Sequence, residues 1–295
     1  MALLTPYPWQ TAFWTYWQSM RNHAYLFMGI PGWGKKHLAT CIALHHLKIY
    51  PTTLENFAHP QYRVIPPKAS IDNVRDVLAF TEQTATQKVV VIEALDTLSI
   101  PAQQALLKHL EEPLGNLLWL LLSNTSDTLL PTILSRCQVV RVPKVTVLEA
   151  LSWLKPQYPQ KTEALLKQAL QLAQGGPLNA FRWIENEIVW KTWLEELLIA
   201  QMPTMLSKDT WDDFRTLWLQ LLLDVSYQAI DQPARCVLPI PSAFAIQKSL
   251  SAWTDFMHAL QQDNPNGISN VRWMSTYWGE RWRAFLRQDA EQYAH

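Results

Sequence analysis

The 295-residue sequence has little charge and little cysteine. Charged residues make up 17%, below the roughly 25% of an average globular protein, and 25 Lys and Arg balance 25 Asp and Glu. This balance argues against a free-standing DNA-binding protein with a strongly basic surface, but it leaves nucleic-acid contact inside a larger complex open. The three cysteines, Cys41, Cys137 and Cys236, lie far apart and match neither a disulfide framework nor a zinc-binding pattern. Such cysteine usage is typical of a reducing compartment.

Long apolar runs are also missing. The longest are short, such as residues 117–122, whereas a membrane-spanning helix needs about 18 apolar residues or more, so we expect no membrane span. Residues 1–10 lack a basic segment followed by an apolar run, which predicts that there is no signal peptide. We therefore expect a cytoplasmic protein.

Tryptophan, in contrast, is abundant, with 15 residues in the chain. Aromatic side chains are enriched at protein interfaces, so some of them are candidates for burial against partner proteins. A place in the protein's own core is the simpler interpretation for any single tryptophan. The apolar fraction of 48% suffices for a sizeable core, and the length suggests about two domains or three small ones.

The first 143 residues alternate between strand and helix patterns. Apolar segments at residues 24–28, 88–93 and 117–123 are typical of strands buried on both faces of a parallel sheet. Helical patterns separate them, which predicts an α/β domain over residues 1–143. After Pro143 the strand patterns stop. Residues 144–188 then predict a small helical domain and residues 189–295 a second all-helical domain.

A phosphate loop is indicated by residues 29–35, Gly-Ile-Pro-Gly-Trp-Gly-Lys. They match the first part of the pattern G-x-x-x-x-G-K followed by Ser or Thr, between a strand and a helix. In such a loop the backbone around Gly29, Gly32 and Gly34 faces phosphate oxygens, and Lys35 reaches the β and γ phosphates. These four residues are the candidate nucleotide-binding residues.

Two parts of a working nucleotide site are missing from the sequence. Lys36 stands where a hydroxyl would bind Mg²⁺, and a cation repels that metal. The apolar strand that should end in Asp-Glu ends in Glu93 and Ala94, and alanine cannot act as a base. These losses predict a loop that binds nucleotide weakly or not at all, or that serves only as a tight glycine turn. An active ATPase in which Glu93 holds the metal remains the alternative.

Two further strings are more specific. Residues 105–113 read Ala-Leu-Leu-Lys-His-Leu-Glu-Glu-Pro, and residues 135–137 read Ser-Arg-Cys. In this order after a phosphate loop, they resemble the clamp-loader branch of the AAA+ proteins, in particular its delta-prime family. Residues 59–62 and 130–137 also resemble strings of that family, and the resemblance is sharp over roughly residues 20–143.

The resemblance implies a RecA-like AAA+ domain with a degenerate phosphate loop over residues 1–143, a helical lid over 144–188 and a helical collar over 189–295. It implies a stator that helps motor subunits of the gamma or tau type and a delta subunit load the sliding clamp onto primed DNA, with no membrane contact. An active motor ATPase of a clamp loader and an AAA+-derived scaffold outside replication remain alternatives.

The resemblance also assigns roles to residues. Arg136 matches an arginine finger presented to the ATP of a neighbouring subunit, where it stabilises charge on the transferred phosphoryl group. The alternative for Arg136 is an ordinary surface arginine. Ser135 positions it, and Leu178 replaces an arginine that many motors aim at their own nucleotide. Asn124 falls near a residue that senses the γ-phosphate, and an ordinary strand-end asparagine is the alternative. ATP and Mg²⁺ are expected at the neighbour's site, and no tightly bound cofactor is expected in this chain. Many members of the family bind zinc through four cysteines in the interval that corresponds to residues 47–58. This interval contains no cysteine here, so no zinc is expected.

Overall fold

The computed structural model describes residues 5–18, 20, 22–49, 59–82, 87–111, 116–198, 210–229 and 238. The chain divides into two compact units, one of residues 1–157 and 175–179 and the other of residues 158–174 and 180–295. The division into three domains at 143 and 188 stays a prediction.

A five-stranded, fully parallel sheet forms the first unit, with the strand order β2-β3-β4-β1-β5. The strands are β1 (Ala24–Met28), β2 (Tyr62–Ile65), β3 (Lys88–Ile92), β4 (Leu117–Ser123) and β5 (Gln138–Arg141). The central strands β1, β3 and β4 consist largely of apolar residues because both of their faces are covered by helices. The predicted α/β fold with a parallel sheet is confirmed.

Helices cover both faces of this sheet. The helices of the first unit are α1 (Thr11–Trp17), preceded by a 3₁₀ turn (Pro8–Gln10), α2 (Lys35–Leu47), α3 (Ile71–Glu82), α4 (Ile100–Glu111), α5 (Pro131–Leu134) and α6 (Val147–Leu154). Side chains alternate along the strands, so Leu26 and Trp119 pack in a core with α3 and α4, while Phe27 and Leu120 pack in a core with α1 and α2.

The second unit is helical in its described part. It contains α7 (Glu163–Leu172), most of α8 (Pro177–Glu185), α9 (Glu187–Leu198) and α10 (Trp211–Ala229). Trp190, Trp193 and Trp218 are buried, and the indole of Trp190 donates to the carbonyl of Trp183 at 2.8 Å. Much of the predicted collar, residues 230–237 and 239–295, lies outside the described residues, so the collar stays a prediction. In the part of the chain that the structure describes, none of the helices combines the length and apolarity needed to cross a membrane.

Candidate nucleotide loop and arginine site

The predicted phosphate loop connects β1, which lies between β4 and β5 in the sheet, to α2. Gly32 and Gly34 adopt left-handed backbone conformations with φ of +83° and +82°, and Gly34 is the N-cap of α2. Only glycine takes this conformation without cost, which explains two of the three glycines. The structure therefore brings Gly29, Gly32, Gly34 and Lys35 into one turn at the carboxyl ends of the strands, where ligands bind in open α/β sheets.

The amino-terminal segment covers one side of this loop. The side chain of Gln10 donates to the carbonyls of Trp33 at 2.9 Å and Gly34 at 3.1 Å, and the indole of Trp9 donates to the same Trp33 carbonyl at 3.0 Å. A Cβ atom placed on Gly34 would lie 2.7 Å from the ring of Tyr7. Two loop carbonyls are thus held by side chains that the sequence analysis did not single out.

Residues 175–179 cover the loop from another side. The backbone N–H of Leu178 donates to the carbonyl of Gly32 at 3.2 Å, and the indole of Trp33 donates to the carbonyl of Gly175 at 3.2 Å. A Cβ atom on Gly32 would lie 2.9 Å from Cγ of Asn179. Leu178, which the sequence analysis expected at the position of a nucleotide-facing arginine, contributes a backbone hydrogen bond to the loop.

An aromatic cluster lies beside the loop and the first turn of α2. Tyr7 stacks on Trp9 at a centroid distance of 4.9 Å and lies 4.4 Å from the ring of His37. Trp153 packs edge-on against both Tyr7 and Trp9, at 5.5 and 5.3 Å. Burial in this cluster raises the pKa of the Tyr7 phenol. Packed aromatic rings therefore line one side of the loop.

The Lys35 ammonium group turns back into the loop. It donates to the carbonyls of Gly29 at 2.5 Å and Ile30 at 2.9 Å and to Oδ1 of Asn124 at 2.8 Å. All three of its N–H donors are therefore engaged within the protein. Lys35 is only 8% exposed, and this burial lowers its pKa to about 8, an effect that the charge of Asp96 opposes.

Lys36 pairs with the candidate metal carboxylate. Its Nζ lies 2.6 Å from Oε1 of Glu93, whose side chain is 15% exposed. The lysine is part of the first turn of α2 and Glu93 follows β3 directly, so the pair joins the two places where a Mg²⁺ site would have its hydroxyl and its carboxylate.

These residues do not fit a magnesium–nucleotide complex. Magnesium takes oxygen ligands, and here an ammonium group lies against the candidate carboxylate oxygen. The lysine that should contact phosphates is held by two loop carbonyls and an amide oxygen. Among the described residues, no group of three or more His, Cys, Asp or Glu side chains is arranged to hold a metal ion.

Asp96 is a site residue that the sequence analysis missed. It lies in a 3₁₀ turn (Leu95–Thr97) after β3, and its Oδ2 accepts from the backbone N–H of Asn124 at 3.3 Å. Its Oδ1 is buried and has no hydrogen-bond partner among the described residues. Asn124, predicted as a γ-phosphate sensor or an ordinary strand-end residue, thus joins Lys35 to Asp96. A carboxylate three residues after Glu93 was the available signal.

Arg136 lies in a different part of the unit, between α5 and β5. Its Nε and Nη2 donate to Oε2 of Glu111 at 3.2 and 2.9 Å, and its Nη1 donates to the carbonyl of Thr132 at 3.1 Å. The hydroxyl of Ser135 donates to the same Thr132 carbonyl at 3.0 Å. The two most specific sequence strings thus meet through the Glu111–Arg136 pair. Burial raises the pKa of the neighbouring Cys137 thiol to about 12, which makes it unreactive.

Arg136 lies at the amino ends of the strands, whereas the phosphate loop lies at their carboxyl ends. Strand β5 pairs with β1 so that Tyr25 lies opposite Gln138, which sets Arg136 at about the level of His23. Gly29 follows six residues later, roughly 20 Å away at 3.3 Å per residue. The arginine therefore cannot serve the loop of its own chain.

Sequence comparisons agree with this architecture. Residues 15–146 match a protein family described as "DNA polymerase III, delta subunit". The chain is 36% identical over 198 residues to the DNA polymerase III subunit delta' of Pseudomonas aeruginosa, a match that covers 60% of each protein. It is 33% identical over 165 residues to the subunit delta' of Haemophilus influenzae, covering 53% of this chain and 47% of that protein. The chain thus matches between about half and 60% of the length of these relatives.

A solved structure shows the same fold. It is a DNA polymerase III gamma subunit-related protein from Thermotoga maritima, with a TM-score of 0.52 and 17% identity, and the match covers 94% of this chain and 100% of that one. In its α/β domain, this chain is therefore similar in sequence to the DNA polymerase III delta' subunits and similar in fold to a gamma subunit-related protein.

Proposed function

We propose that this chain is the stator subunit of a bacterial clamp loader, which helps load the sliding clamp onto primed DNA during replication. Its partners in the cytoplasm are motor subunits of the gamma or tau type and a delta subunit, joined through its helical collar. It presents Arg136 to the ATP of a neighbouring motor subunit, whose site also holds the Mg²⁺. Clamp and DNA are contacted through the assembled complex, and no membrane is involved.

The position of Arg136 carries this proposal. Arg136 lies at the opposite end of the strands from its own phosphate loop, so a phosphate that it contacts must come from another subunit. Guanidinium groups are always charged and offer a planar fork of donors, which suits phosphoryl transfer. Such a residue is worth roughly 10³–10⁵ in rate when a neighbour supplies it.

In this proposal the chain's own phosphate loop has a structural role and does not hydrolyse ATP. Lys35 is bound to loop carbonyls and Lys36 to Glu93, so both cationic side chains already have internal partners. This arrangement argues against the alternative of an active motor ATPase. If the purified chain turned over Mg-ATP, and Lys35→Ala abolished that turnover, the motor alternative would hold instead.

Partner identity tests the proposal first. We expect a tagged chain, purified from its own host, to bring down clamp-loader motor and delta subunits in near-stoichiometric amounts. Recovery of the chain alone, or with proteins unrelated to replication, would favour the alternative of an AAA+-derived scaffold.

The arginine role is tested in the reconstituted complex. Arg136→Ala should leave assembly intact and lower turnover at the served site by roughly 10³–10⁵-fold, so the DNA- and clamp-stimulated ATPase of the complex loses that site's share. Arg75→Ala is the matched control, because Arg75 is an exposed arginine paired with Asp72 on α3. Unchanged ATPase in the Arg136 variant would disprove the role.

A further inference from the structure

Glu111 is the last residue of α4, and its carboxylate binds the Arg136 side chain. We propose that Glu111 is the positioning residue for the arginine finger: it holds the guanidinium in the orientation in which its free donors face the neighbouring subunit. This inference rests on the proposed function of Arg136.

The hydrogen bonds fix the guanidinium from two directions. Oε2 of Glu111 accepts from Nε and Nη2, and the carbonyl of Thr132 accepts from Nη1. These bonds use three of the five N–H groups of an arginine. The other two, one on each terminal nitrogen, have no acceptor within the described ranges. One donor on each side of the fork therefore remains for an oxygen anion from outside the chain.

The pair is suited to orientation rather than to holding the fold together. The side chains of Arg136 and Glu111 are 28% and 59% exposed, and exposed ion pairs add little to stability. A free arginine side chain has many rotamers, and ordering it costs entropy each time it engages a phosphate. The ion pair with Glu111 orders the arginine side chain before the neighbouring subunit binds, which is the advantage of preorganisation.

Helix α4 connects this pair to the carboxyl ends of the strands. It spans 12 residues, about 18 Å, and ends at Glu111, whereas Asp96 lies in the turn just before its start. Because the carboxylate is fixed to the helix end, a shift of α4 moves the guanidinium with it. A misplacement of about 1 Å can cost about 100-fold in rate.

A double-mutant cycle in the assembled clamp loader tests the inference. At the served site, we expect Glu111→Ala to lower kcat by about 100-fold with the KM for ATP unchanged, since the finger acts on the transition state. Glu111→Gln keeps an acceptor oxygen and should lose less. In the Arg136→Ala background, Glu111→Ala should have no further effect. Asp72→Ala, which breaks a separate exposed carboxylate–arginine pair, is the control and should leave kcat unchanged.

The outcomes separate the two proposals. If Arg136→Ala lowers kcat but Glu111→Ala leaves it unchanged or raises it, the positioning role is wrong and the finger stands. An effect of Glu111→Ala that persists without Arg136 also overturns the positioning role. If Arg136→Ala itself has no effect, the proposed function fails. Should Glu111→Ala fail to assemble, Glu111→Gln provides the same comparison with the side-chain volume retained.

Discussion

Lys36 and Glu93 form an ion pair, with 2.6 Å between Nζ and Oε1, at the point where the first turn of α2 meets the end of β3. Both positions belong to the metal site in a working phosphate loop. The pair puts a fixed positive charge against the carboxylate, so the charge that a metal would supply is already present in the chain. The two sequence departures at these positions therefore compensate each other.

The Lys36–Glu93 pair should appear as a coupling energy rather than as a large loss in either single variant. Lys36 lies at the positive end of the α2 dipole, and removing its charge there gains about 0.3–1 kcal/mol, which offsets the loss of the pair. We expect Lys36→Met and Glu93→Gln to show a coupling of about 0.2–1 kcal/mol in urea unfolding, reduced by salt. Lys108→Met is exposed on α4 and should be additive with Glu93→Gln. Equal additivity for both lysines would contradict the pairing.

The buried ammonium of Lys35 predicts a pH dependence of stability. Its pKa of about 8 lies below the ordinary 10.5, so between these values the unfolded chain holds more protons and stability rises with pH. Below pH 8 both states are protonated, and the cost of burying the charge is fully present. We expect the difference in unfolding free energy between the wild type and Lys35→Met to grow from pH 8 to 10.5, by at most about 1.4 kcal/mol per pH unit.

Taking the difference between these two proteins at each pH cancels the titration of the other groups. The thiols of Cys41 and Cys137 make this necessary, because burial raises their pKa to about 12. Their titration therefore lowers the stability of the protein as pH rises above the ordinary pKa of a thiol. A difference that stays flat across this range would show that Lys35 is solvated in the folded protein.

Close packing at Gly34 predicts a larger loss than its backbone conformation alone. A left-handed conformation costs a residue with a Cβ about 1–2 kcal/mol, and the added atom would also lie 2.7 Å from Tyr7. Gly175 has a φ of +80°, but an added Cβ there meets nothing within 4 Å. We expect Gly34→Ala to be less stable than Gly175→Ala by about 1–3 kcal/mol in urea unfolding. Equal losses would place Tyr7 away from the loop.

Gln10 is fully buried, and its side-chain amide donates hydrogen bonds to the carbonyls of Trp33 and Gly34. In Gln10→Leu these acceptors lose a donor at nearly constant side-chain volume, so we expect a loss of about 1–3 kcal/mol in unfolding free energy. The control is Gln104→Leu, at an exposed position of α4, which should change stability by less than about 0.5 kcal/mol. A neutral Gln10 variant would mean that water replaces the amide.

The strands show what could be predicted from local pattern. The apolar segments at 24–28 and 117–123 have the bounds that the sequence predicts, because continuous burial in a parallel sheet requires continuous apolar sequence. Local pattern determines helix ends less well. A 3₁₀ turn precedes α1, and α4 begins at Ile100 with Pro101 tolerated in its first turn.

The sequence alone determined the parallel α/β domain, the glycine turn and the loss of two groups needed for ATP hydrolysis, since these follow from residue type and local order. Tertiary structure decided where the remaining charges go. Lys35, Lys36 and Arg136 each reach a side-chain oxygen between 25 and 89 positions away, in Asn124, Glu93 and Glu111, and no local pattern encodes such pairs. The register of the sheet likewise placed Arg136 at the opposite end of the strands from its own loop, because parallel strands bring together segments that are distant in sequence.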